Sequence, residues 1–343
     1  MSGFWECANA ISPLTLVLRQ EKHGAPLTPR SSDMPTVPRL TRPEGPEPQD
    51  FHLSRRGLAG LLTAGYAAYA FSADAAPIVT DAEGLTVETV SLPENGGAIP
   101  AYVARPAASG RYAAIIVVSE VFGVHEHIRD LCRRFAKLGY VAIAPSFFVR
   151  ADPDNKLPEI QDFDKITKIV ATAKNEQVMT DVGATLGWLE QQPFVDRKRL
   201  AITGFCWGGG VVWMACARFP ELKAGAAWYG RLRRPPAGTF MADDDRLWPL
   251  DSVAQLEAPV IGFYGGKDQG IPLTDVEAMR AALKGAGKTD SQLVVYPDAQ
   301  HGFNADYRSS YNEAAAKDAW QRMLAHFAAN HAAPGKAHGW LFG

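Results

Sequence analysis

The sequence predicts an α/β architecture: a mostly parallel central sheet with helices on both faces. Two observations carry that reading. From Leu85 onward, short apolar runs alternate with stretches of helical spacing, the order expected when crossover helices join parallel strands. One run, Ala113-Ala114-Ile115-Ile116-Val117-Val118, is apolar without alternation, as in strands covered on both faces.

The elements follow in order. Residues 85–92 and 99–104 read as an antiparallel pair around Glu94-Asn95-Gly96-Gly97, and 113–118 is the first buried strand. Residues 128–138 have helical spacing and stop at Gly139, and the strand 140–144 is stopped by Pro145. A helix over about 176–191 leads to a strand at 199–203, and the apolar stretch from Gly208 to Ala215 opens another helix. Later strands are expected at 224–229, 260–264 and 292–296, with helices over about 274–284 and 312–329.

Composition limits the function. The chain has 343 residues, 47% of them hydrophobic, and a net charge of −2. One catalytic domain of roughly 250 residues behind a leader suits typical domain sizes. Phosphate binding needs a concentrated basic face, and Arg231, Arg233 and Arg234 are too few to make one, so nucleic acid is not expected as a partner. Cys7, Cys132, Cys206 and Cys216 have neither C-x-x-C spacing nor a disulfide framework, and no metal site is expected.

The division of the chain is read from changes in character. Residues 1–50 mix Pro, Arg, Ser and acidic residues without a period and read as a disordered extension. Residues 51–76 resemble a twin-arginine export signal: Arg55-Arg56, a short mildly apolar segment, then Ala73-Asp74-Ala75. Such signals stand near the start of a chain, so Met34 is read as the translation start, and residues 1–33 as untranslated. Peptide masses of the native precursor test this. The expectation is a periplasmic protein using the twin-arginine machinery, without stable membrane insertion after cleavage, or a cytoplasmic one if the leader is not functional. Residues 83–330 form the catalytic domain and 331–343 a C-terminal tail.

The chemistry centres on Gly204-Phe205-Cys206-Trp207-Gly208. This places a thiol where a G-x-S-x-G nucleophile elbow has its serine, between a strand and a helix as that motif requires. The flanking glycines relieve crowding, and a helix N-terminus favours an ionised thiol. Two further groups follow in the chain order of α/β-hydrolases, nucleophile, acid, histidine. Asp268 lies in Gly265-Gly266-Lys267-Asp268 after one strand, and His301 in His301-Gly302-Phe303 after the next. In such a set His301 moves the proton, Asp268 fixes its tautomer and Cys206 attacks. Glu120, in Ser119-Glu120-Val121-Phe122-Gly123-Val124, falls where the oxyanion-hole loop is expected; a simple esterase needs only backbone donors there.

Together these four motifs resemble the dienelactone hydrolase family, the carboxymethylenebutenolidases, over residues 83–329. The resemblance implies an α/β-hydrolase fold and a Cys206–His301–Asp268 triad, with Glu120 as a switchable partner of the thiol. It also implies backbone oxyanion donors, assigned to Val121 and Trp207, and a small lactone or ester as substrate, with no cofactor. The family holds anionic substrates with arginines, for which Arg308 and Arg150 are the candidates here. A general carboxylesterase or thioesterase, or a silent binding protein on this fold, are the alternatives.

Two other stretches stand out. His125-Glu126-His127 invites a metal reading, but residues two apart on a helix do not share a face. The stretch 231–250 has no period and is expected to form a lid or rim over the pocket.

Overall fold

The structure, a computed structural model, describes residues 77–94, 97–160, 162–237, 241 and 247–334. The extension, the twin-arginine segment, the Met34 start and the tail beyond residue 334 lie outside the described residues.

Eight strands form one sheet in the order β1-β2-β4-β3-β5-β6-β7-β8. β1 (Leu85–Glu94) and β2 (Gly97–Pro106) pair antiparallel, and β2 pairs antiparallel with β4 (Tyr140–Pro145). β3 (Tyr112–Val118), β5 (Val195–Phe205), β6 (Leu222–Trp228), β7 (Val260–Gly265) and β8 (Gln292–Tyr296) complete a parallel set with β4. Every residue of β3, β4 and β7 is buried, which is why their sequences are apolar without alternation.

The connecting helices are α1 (Glu126–Lys137), α2 (Phe163–Val170), α3 (Asn175–Gln191), α4 (Trp207–Cys216), α5 (Leu273–Gly285) and α6 (Glu313–Ala329). α1 ends where Gly139 takes a φ of 91°, a backbone conformation that costs glycine little. Asn312 caps α6 by accepting from Ala315 N at 3.1 Å. α4 is buried on every side, so its all-round apolar sequence is that of a core helix. α2 is an element that the sequence reading omitted.

What matters for function is the order reversal. β3 is followed by β4 on one side, whereas β5 lies on its other side, in register Val118↔Gly204. The loops leaving β3 and β5 therefore diverge from one point at the carboxyl edge, where open α/β sheets form a crevice. β6, β7 and β8 end at the same edge, with Phe205↔Trp228, Trp228↔Phe263 and Gly265↔Tyr296 in register.

Candidate active site

Cys206 stands between β5 and α4 with φ 53° and ψ −114°, in the left-handed region that side chains normally avoid. Its surroundings hold it there. Its N–H donates to Trp228 O at 3.0 Å, and Gly209 N donates to its carbonyl at 3.0 Å. A Cβ on Gly204 would meet Gly208 O at 2.3 Å, and one on Gly208 would meet Val118 O at 2.5 Å. Both positions flanking the elbow thus require glycine. The bend leaves the thiol half-buried on a cavity of about 590 Å³.

His301 borders the same cavity, and Asp268 stands behind it. Asp268 follows β7; its Oδ1 accepts from Gly270 N at 2.9 Å and Ile271 N at 3.1 Å. That leaves Oδ2 for His301 Nδ1, 2.8 Å away. His301 Nε2 is buried without a hydrogen-bond partner, and the ring borders the cavity with Cys206. Burial alone would lower the imidazole pKa, but the charges of Asp268 and of the Cys206 sulfur when ionised outweigh it and push it up to about 10.

Glu120, just past β3, is buried rather than a solvent-facing strand end, with 1% of its surface exposed. Tyr307 Oη donates to its Oε2 at 2.7 Å. Arg308 Nη1 lies 3.6 Å from Oε1, which has no hydrogen-bond partner, and His125 Nε2 lies 3.9 Å from Oε2. Val121 and Trp207, the residues assigned as backbone oxyanion donors, both border the cavity.

The arginines differ from expectation. Arg150 is held by Asp181 through two hydrogen bonds, of 2.9 and 2.8 Å, and is not among the cavity residues. Asp181 is fully buried and needs a cationic partner, so this arginine is committed to the fold. Arg308 is buried against Glu120 rather than lining the cavity. Arg231, Arg233 and Arg234, dismissed above only as a nucleic-acid patch, do line it. So do Trp248 and Pro249, so the described residues at both ends of the stretch 231–250 border the cavity.

Two tyrosines escaped the sequence reading. Tyr229 follows β6 with φ 38°; its ring lies 5.1 Å from His301, and its buried hydroxyl, bordering the cavity, has no hydrogen-bond partner. Burial, with the charge of Glu120, pushes its phenol well above the ordinary value, so it stays a donor. Tyr307 is the Glu120 partner just described. The only signal for either was position, Tyr229 at a strand end and Tyr307 six residues after His301.

The His125-Glu126-His127 reading is corrected in one respect. The two rings do share a face, stacked at 6.1 Å with 17° between planes, because His125 is the extended N-cap of α1 and not a helical residue. Among the described residues no group of three or more His, Cys, Asp or Glu is placed to hold a metal ion.

The parallel sheet, the crossover helices and a site at the strands' carboxyl edge define an α/β-hydrolase fold. The dienelactone hydrolase family model matches residues 99–331. A protein of Methylorubrum extorquens with the provisional name carboxymethylenebutenolidase is 45% identical over 276 residues, covering 79% of this chain and 91% of its own. An Escherichia coli K12 protein with the same provisional name is 42% identical over 271 residues, 79% of this chain and 97% of its own. A crystal structure from Klebsiella pneumoniae, provisionally named a dienelactone hydrolase, superposes with a TM-score of 0.65 at 46% identity, covering 71% of this chain and 98% of that one. The chain belongs to the dienelactone hydrolase family and is a carboxymethylenebutenolidase-like hydrolase.

Proposed function

We propose that the protein opens a lactone, or hydrolyses a small ester, by thiol catalysis at Cys206. The observation that carries this reading is the convergence of the strained Cys206 elbow, the Asp268–His301 pair and buried Glu120 at one edge of the sheet. Glu120 takes the thiol proton on its unpartnered oxygen as the sulfur attacks the carbonyl carbon. The backbone N–H groups of Val121 and Trp207 receive the oxyanion.

The ring C–O bond then breaks and the leaving enolate takes the proton of the His301 imidazolium. The acylated sulfur carries no charge, so only Asp268 then holds His301 up and the imidazole can give that proton away. Neutral His301 next accepts a proton from water as its oxygen attacks the thioester. The C–S bond breaks, the sulfur regains its proton from Glu120, and the acid product leaves. Arg231, Arg233 and Arg234 on the cavity wall suit a substrate carrying a carboxylate, whose negative charge they would attract. Export through the twin-arginine route remains part of the proposal; a mature N-terminus just after Ala75, read from peptide masses, would support it, and one within residues 1–33 would refute it.

Hydrolysis of a dienelactone and a short aryl ester by the wild type, Cys206→Ala and Glu120→Gln tests the mechanism. Cys206→Ala is expected to lose about 10³-fold or more in kcat/KM, and Glu120→Gln on the order of 10²-fold. Full activity in Cys206→Ala sinks the thiol mechanism. Preference for the aryl ester over the dienelactone favours a general esterase.

A further inference from the structure

Tyr307 is buried among aromatic and charged side chains. Its ring lies 5.3 Å from that of His125 and 5.2 Å from that of His127, so the two stacked histidines wall it in. Its chain neighbours are anchored on either side. Asp306 Oδ1 pairs with His127 Nδ1 at 3.1 Å and its Oδ2 accepts from Arg134 Nη2 at 2.6 Å, while Arg308 faces Glu120. The backbone of the loop is pinned as well, Ala305 N to Gly302 O at 2.9 Å and Asn312 N to Phe303 O at 3.0 Å. Glu120, His125, His127, Asp306, Tyr307 and Arg308 are all buried.

The two oxygens of Glu120 are treated unequally. Oε2 accepts from Tyr307, whereas Oε1 has no hydrogen-bond partner. A carboxylate buried this deeply has to be held by donors or charges to stay ionised. Burial, followed by the charges of His127, Arg308 and Arg129, holds His125 well below its ordinary pKa, so its ring adds no positive charge beside Glu120 at neutral pH. Arg308 supplies charge at 3.6 Å without a hydrogen bond. Tyr229, Cys206, Asp306, Arg134 and His301 are further ionisable groups around this cluster.

We propose that Tyr307 is a positioning residue that acts through Glu120: its hydroxyl fixes Oε2 and leaves Oε1 as the oxygen that receives the Cys206 proton. The histidine pair and Asp306 hold the tyrosine in place. This rests on the reading of Glu120 as the proton acceptor. It also gives the His125-Glu126-His127 stretch a role without a metal, since its two imidazoles serve as walls.

The test is a cycle of Tyr307→Phe, Glu120→Gln and the double variant, assayed for hydrolysis of a dienelactone across pH. Tyr307→Phe keeps the ring against the histidines and removes only the hydroxyl. It is expected to lower kcat about tenfold with KM little changed, and to move the acid limb of the kcat/KM profile up by about one pH unit. Added to Glu120→Gln it costs less than about twofold more, because the two act as one unit. A difluorotyrosine at position 307, a stronger donor that keeps the shape, moves the limb down and covers the case in which the phenylalanine variant does not fold. An unmoved acid limb, or the same loss in both backgrounds, overturns the proposal. If Glu120→Gln loses activity while Tyr307→Phe does not, this proposal alone fails; if Glu120→Gln is fully active, the Glu120 reading fails and takes this one with it.

Discussion

One helix, α4, has a cysteine at each end, and the two are opposites. Cys206 precedes its first residue, half-buried at the carboxyl edge of β5 and open to the cavity. Cys216 closes the helix with no exposed surface, and burial pushes its thiol above the ordinary range. Its sulfur packs where Gly225 lacks a side chain, 2.6 Å from the Cβ position there. The helix dipole opposes a thiolate at the Cys216 end as well. Reactivity here is a property of place: the same side chain is a core filler at one end and a nucleophile candidate at the other.

The contrast can be broken most severely at Gly208. A methyl group there meets the Val118 and Ser119 carbonyls at 2.5 and 2.6 Å, and since these are backbone atoms the elbow itself has to shift. Gly208→Ala is expected to lose more than about 10³-fold in kcat/KM; near-wild-type turnover would show that the elbow geometry is not what equips Cys206. Alkylation sharpens the same contrast. Iodoacetamide should modify Cys206 at least on the order of 10²-fold faster than Cys216 or the buried Cys132, read by peptide mass, with activity lost in step. Equal labelling in folded protein would remove the distinction. The smallest effect is expected from Cys216→Ala, with kcat/KM within about twofold of wild type and stability lower by about 1 kcal/mol in chemical denaturation. A large loss of activity there would mean that the far end of α4 reports to the site.

Much of the fold was legible because parallel strands announce themselves. The runs at 113–118, 140–144 and 260–264 are apolar on both faces, and all three are strands. Cys206, Asp268 and His301 stand in local motifs at strand ends, each readable within a few residues. The remaining pieces have no local signal. The Tyr307–Glu120 bond joins residues 187 positions apart, and the Arg150–Asp181 pair joins residues 31 apart, so neither partner advertises the other. That is why Arg150 was read as a substrate arginine while Arg231, Arg233 and Arg234, on a stretch without period, were passed over. α2 was missed as a short helix of eight residues, below the length at which spacing is informative.

The elbow has one more implication. The unusual φ of Cys206 is imposed by Gly204, Gly208 and the Trp228 carbonyl, none of which touches the choice between sulfur and oxygen. The scaffold therefore delivers the side-chain atom at this position to a fixed point regardless of element. A thiol-to-hydroxyl exchange at position 206 is a one-atom change that would leave the turn presenting it as it is.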